Sequence, residues 1–143
     1  MILHSVILLF AFAYAAYGNE IEPTKKQDFA DEGSSIELSC SYSSADYLHW
    51  YRQYPGSAPE FIVFIPDSTN QAQESKVDSR FTAKVTKNKE NHVDLEISSA
   101  SISDSALYYC SLEPTVTGNT RTQYKILTQH CIYITHIKPP YLL

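Results

Sequence analysis

The chain has few of the residues from which catalytic and cofactor sites are built. Only 4 of its 143 residues are glycine, and they form neither a Gly-x-Ser-x-Gly elbow nor a loop to cradle a phosphate. Its histidines, His4, His49, His92, His130 and His136, are scattered, without His-x-x-x-His or Cys-x-x-Cys spacing. No metal site and no cofactor is therefore expected. His49 reads as a loop-edge residue beside Trp50, and His130-Cys131 alone does not make a thiol nucleophile. The chain reads as no enzyme. Asn-x-Ser/Thr is absent, so no N-glycan is expected. A net charge of -5 with no basic patch argues against nucleic acid as a partner. No apolar run approaches the length of a bilayer span, so no membrane anchor is expected in the chain itself.

The cysteine count is 3, which is odd. Cys131 lies apart from Cys40 and Cys110, and it reads as a free thiol, an intermolecular bridge, or part of a segment absent from the working protein. The start of the chain has the features of a secretory signal. Val6 to Ala13 is a short apolar core, and Ala16-Tyr17-Gly18 supplies small residues before Asn19. Residues 1–18 are thus expected to be removed, and the rest to enter an oxidising compartment.

Between Asn19 and Cys110 apolar residues recur with period two, the spacing of half-buried strands. Ile36, Leu38 and Cys40 share one face; Leu48 and Trp50 point inward while Tyr51 and Gln53 take the opposite face. Glu60 to Ile65 is an apolar strand. Phe81, Ala83 and Val85 alternate, as do Val93, Leu95 and Ile97 with Asp94 and Glu96 on a solvated back. Ala106, Tyr108 and Cys110 form the last inward set. Turn signals such as Pro55-Gly56 separate seven or eight short strands, the pattern of an all-β sandwich.

Cys40, Trp50 ten residues later, and Asp104-Ser-Ala-Leu-Tyr-Tyr-Cys110 form a specific constellation. With Trp50-Tyr-Arg-Gln-Tyr-Pro-Gly56, it resembles a V-type immunoglobulin domain, and more narrowly a T-cell receptor alpha (or delta) variable region. The resemblance covers Asn19 to about Leu112. It implies a sandwich of two antiparallel sheets, a Cys40–Cys110 disulfide, a Trp50 core anchor on that bridge, and a tyrosine corner at Tyr108. It implies an Arg80–Asp104 ion pair at the bottom of the sandwich. Tyr51, Gln53, Pro59, Phe61, Leu107 and Tyr109 would form the face that pairs with a beta-type chain, Gln53 bonding its counterpart. A ligand, peptide held by a major histocompatibility molecule, would meet loops bearing Ser44, Asp46, Tyr47, Asp67, Ser68 and Asn70, with Ser111, Leu112 and Glu113 at the third.

The chain departs from the family after Glu113. The Phe-Gly-x-Gly of a joining segment is absent, so the final strand G is expected to be missing, with a V-type domain over 19–113 and a non-domain tail over 114–143. Pro114-Thr115-Val116 can be encoded so as to spell CACAGTG. Seven codons further on, Tyr124-Lys125-Ile126 can be encoded as TAC-AAA-ATC, close to an A-rich nonamer. That separation resembles the long-spacer recombination signal of alpha variable genes and implies an unrearranged segment read through into flanking DNA. Signalling subunits would then be reached only through constant and transmembrane regions this chain lacks. It would be secreted alone, and held at the plasma membrane when joined to a constant region. The alternatives are another immune receptor V domain, innate-type receptors included, and a soluble adhesion or structural immunoglobulin-like protein.

Overall fold

The computed structural model describes residues 19–113 and 130–139. In chain order the strands are β1 (Ile21–Pro23), β2 (Gln27–Asp31), β3 (Ile36–Tyr42), β4 (Tyr47–Gln53) and β5 (Glu60–Pro66). They continue as β6 (Gln73–Glu74), β7 (Phe81–Lys87), β8 (Asn91–Ile97), β9 (Leu107–Glu113) and β10 (His130–Lys138). One sheet has the order β1-β3-β8-β7-β6, the other β2-β10-β9-β4-β5. The inner faces of the two sheets meet in a core whose largest fully buried side chains include Trp50, Tyr108, Phe81, Leu38 and Leu95. This is the two-layer solution for strands that are apolar on one face only.

The sheets are joined covalently between β3 and β9 by Cys40–Cys110, with Cα atoms 6.6 Å apart. In register, Cys110 lies opposite Trp50 of β4, so the indole and the bridge occupy one layer of the core. The Tyr108 hydroxyl donates to the Asp104 carbonyl at 2.8 Å, anchoring the turn that enters β9. That turn is a short 3-10 helix over Ile102–Asp104, held by a capping box between Ser101 and Asp104. Two glycines, Gly33 and Gly56, occupy turn positions with φ of 84° and 75° that other residues rarely adopt.

Two expectations are corrected here. A final strand is present: β10 pairs antiparallel with β9 and parallel with β2, so residues 130–138 lie within the sandwich and one sheet contains a parallel pair. A strand at this place needs no glycine motif, only extended backbone and β-branched residues such as Ile132, Ile134 and Ile137. Asp94 is also not solvated. It is buried because Ser39 and Thr86, flanking it on β3 and β7, donate hydroxyls to its carboxylate at 2.5 and 3.3 Å. The leader at 1–18 and the stretch 114–126 that resembles a recombination signal lie outside the described residues.

Candidate functional site

At one end of the sandwich three segments are tied together by main-chain bonds. The Asp46 N–H donates to the Glu113 carbonyl, and the Asp67 N–H donates to the Asp46 carbonyl, both at 3.0 Å. The β3–β4 loop is thereby fixed to the end of β9 on one side and to the β5–β6 loop on the other. A cavity between them is lined by Ala45, Asp46, Tyr47, Pro66, Asp67 and Ser68. Tyr47, Asp46, Ser44, Ser68 and Asn70 are exposed around it. Ser44 donates to the Asn19 side chain at 3.0 Å. Asp67 serves the interior instead: its carboxylate accepts from the Tyr42 hydroxyl at 2.5 Å and pairs with Lys87 of β7. It holds the second loop, which follows β5 of one sheet, down against β3 and β7 of the other.

Ser111 and Leu112 do not belong to this tip surface. Both are buried, because β9 continues through them in register with His49 and Leu48 of β4. Glu113 alone of that trio is partly exposed.

The outward face of the second sheet carries the other candidate site. Tyr51 and Phe61 meet edge to face at 5.8 Å between ring centres. His49 extends this cluster, stacked on Tyr51 at 6.3 Å and near Phe64 at 6.2 Å, while Tyr47 meets Phe64 at 6.2 Å. His49 thus lies within β4, and not at a loop edge. Phe61 and Phe64 are 44% and 49% exposed, a large apolar area for the surface of a domain on its own. Gln53 lies beside them, half-buried: its carbonyl accepts from the Tyr109 hydroxyl at 2.6 Å and its amide donates to the Ser57 carbonyl at 2.8 Å. An amide has two lone pairs and two N–H groups, so Gln53 retains capacity for one further bond of each kind. Leu107 is partly exposed on the same strand as Tyr109, and Pro59 is exposed just before β5.

At the opposite end, Arg80 forks onto Asp104 through bonds of 2.7 and 2.9 Å, and also reaches Asp78 at 2.9 Å. Asp104 and then Asp78 push the guanidinium above its ordinary pKa, and Arg80 in return holds the Asp78 carboxyl below the usual range.

The family model for the immunoglobulin V-set domain matches residues 24–128, well over half of the chain. The chain belongs to the immunoglobulin V-set family. Within it, this V-set chain is similar to T cell receptor alpha variable 9-1 of Homo sapiens, at 30% identity over 108 residues that cover 74% of this chain and 92% of the relative. It is 35% identical to T cell receptor alpha variable 5 of Homo sapiens over 82 residues, 56% of this chain and 68% of the relative. A rabbit relative, T-cell receptor alpha chain V region RL-5 of Oryctolagus cuniculus, is 32% identical over 110 residues, covering 76% and 78% respectively. Such a domain belongs to the extracellular or secretory side. Among the described residues no helix is long and apolar enough to cross a membrane.

The V-set domain also uses residues that sequence reasoning missed. Lys87 and Tyr42 meet Asp67 from different strands, and no spacing in the sequence announces such a meeting. His49 was within reach, since the period-two face of Tyr51 extends back through it to Tyr47, a residue expected at the tip that also joins this face. Two buried phenols give this V-set domain an alkaline limit. Burial pushes both Tyr42 and Tyr108 well above their ordinary value of 10.0, Tyr42 also through its bond to Asp67. Because the folded values are raised, the contribution is fully present below pH 10 and is lost above it, as the unfolded chain ionises while the folded one resists. Absorbance titration is expected to leave two phenols un-ionised past pH 10, and urea midpoints to fall there. Simple ionisation of every tyrosine near its ordinary value would contradict this.

Proposed function

We propose that this chain is the variable domain of a T-cell receptor alpha chain, encoded over 19–113 behind a signal at 1–18 and not yet joined to a J segment. It pairs through the outer face of β4, β5 and β9 with a beta-type chain. The paired tip binds peptide held by a major histocompatibility molecule. The observation that carries the reading is the continuous aromatic face around Tyr51, Phe61 and Phe64, with the bonding capacity of Gln53 at its side. A face of exposed rings with one amide is what an obligate partner covers. The similarity to alpha variable regions supports the choice of partner class.

The test is co-secretion with a beta-type variable chain. Phe61→Asp with Tyr109→Lys places charge where the partner would meet apolar rings. It is expected to weaken association by about 100-fold, the effect of a pair of interface hot spots, while the urea midpoint of the isolated chain stays near that of the parent. Unchanged association refutes the pairing face, and a soluble monomer that never associates refutes the receptor reading. The nucleotide sequence tests the unjoined state: codons other than ACA-GTG at Thr115-Val116 refute it.

A further inference from the structure

The second sheet is completed in an unusual way. Among the described residues of this sheet, β2 hydrogen-bonds to β10 and to no other strand, so β10 connects β2 to β9. Two backbone edges thus face each other across a cleft, and each demands a strand. β10 serves them in turn. His130 to Tyr133 pair antiparallel with β9, opposite Cys110 to Leu107. Tyr133 to Lys138 pair parallel with β2, and a bulge between Ile134 and His136 falls just past the handover. Such a bulge bends a strand and re-aims its side chains. Ile134 and Ile137, on either side of it, are 2% and 4% exposed, buried in the core between the sheets. Bonds outside the ladder fasten the strand further: the Ile134 N–H donates to the Ala106 carbonyl at 3.2 Å, and the Glu32 N–H donates to the Lys138 carbonyl at 3.0 Å.

We propose that the cleft between β9 and β2 is a strand-acceptor site, and that residues 130–138 fill it in cis as a stand-in for the strand that a joining segment would supply. Its recognition chemistry is main-chain pairing along two edges plus two apolar side chains three residues apart; no Phe-Gly-x-Gly is required. Sixteen residues separate Glu113 from His130. A tether of that length holds the strand at an effective concentration on the order of mM, so the cis strand outcompetes a free peptide of the same pattern. The unjoined chain therefore closes its own sandwich. The proposal takes from the variable-domain reading only the expectation that a strand belongs in this place, and it is independent of what the tip or the pairing face binds.

Cross-linking tests it on the full chain. Antiparallel partners have Cα atoms about 4.5–5.5 Å apart, within disulfide range. In a Cys131→Ser background, Leu107→Cys with Tyr133→Cys matches the observed register and is expected to oxidise almost completely to an intrachain bridge. Leu107→Cys with Ile132→Cys is out by one residue, which turns the two thiols to opposite faces, and is expected to stay reduced. Non-reducing peptide maps read both. Equal bridging in both, or in neither, overturns the proposal. The second measurement is amide exchange in the chain carrying Ile134→Asp and Ile137→Asp. Protection of the β2 amides is expected to fall by about 100-fold, a loss of about 2.8 kcal/mol at 1.4 kcal/mol per factor of ten, while β3 and β8 keep theirs. Unchanged protection in β2 overturns it as well. If this variant fails to fold, the cross-links still decide.

Discussion

Replacing Cys40 and Cys110 together by alanine lowers the stability of the domain by about 4 kcal/mol in the chain-entropy account of a loop this long. The bridged residues lie 70 positions apart, and opening so long a loop releases much of the freedom that the unfolded chain lacks when it is closed. Both sulfur atoms are fully buried against Trp50, so the double variant also leaves a small void in the layer that carries the indole. Single domains have only about 5–15 kcal/mol in total, and the bridge-less chain is expected to be largely unfolded at 37 °C. Urea titration followed by the emission of the single Trp50 measures it directly, since the indole is completely buried in the fold. A midpoint shift equivalent to less than about 1 kcal/mol would show that the core holds the sheets together without the bridge. Replacing only one cysteine is a poorer test, because it leaves its partner as a free thiol beside that of Cys131, and an oxidant can join the two in a new disulfide.

The second large effect is expected at the opposite end of the sandwich from the loops. Asp104 is 1% exposed, accepts both arms of the Arg80 fork, and also accepts the Ser101 N–H at 2.8 Å. Asp104→Ala removes the ion pair and the cap at once. Breaking a buried pair costs about 3–5 kcal/mol when the remaining charge is stranded. Arg80 is not stranded: it keeps Asp78 and the Ser99 carbonyl, and about a third of its side chain meets water. Screening there reduces the pair's share to about 2 kcal/mol, and the lost cap adds about 1 kcal/mol. The expected total of about 3 kcal/mol is to be read from thermal or urea unfolding. Asp78→Ala is the comparison, and it is expected to change stability by less than about 1 kcal/mol because both members of that pair are partly open to water. Equal effects at the two positions would contradict the assignment of Asp104 as the principal partner.

Much of this was legible in the sequence because the core residues obey a rule that the chain displays locally. Leu38 and Cys40, Leu48 and Trp50, Tyr108 and Cys110 each fall on the buried side of a period-two strand, and all are at most 1% exposed. The places where reading failed have particular physical causes. The family pattern places Ser111 and Leu112 in a loop, yet β9 is a central strand flanked by β4 and β10, and its pairing with β4 runs on to Glu113. Residues 130–138 lack the glycines that mark a joining strand, yet Ile-Tyr-Ile-Thr is ordinary strand sequence and the edges of β2 and β9 only require backbone. The Tyr42–Asp67–Lys87 network joins two strands of one sheet to the loop after β5 across 45 residues of sequence, and such a meeting is fixed by topology alone. Asp94, too, looks like any outward carboxylate until Ser39 and Thr86 are seen on either side of it.

The ties between the three loops have a consequence for anyone who wishes to rewrite them. Asp46 is joined to Glu113 and to Asp67 through its N–H and carbonyl only, atoms that every residue except proline possesses. The ground plan of the tip is therefore indifferent to the identity of the side chains that project from it. A library that randomises Ser44, Asp46, Tyr47, Ser68 and Asn70 while excluding proline at 46 would change the chemistry of the surface and leave its scaffold in place. Asp67 is the exception, since its carboxylate fastens the second loop to Tyr42 and Lys87. Diversity can be grafted onto these positions of the tip, provided that residue 46 keeps its N–H and that one acid stays.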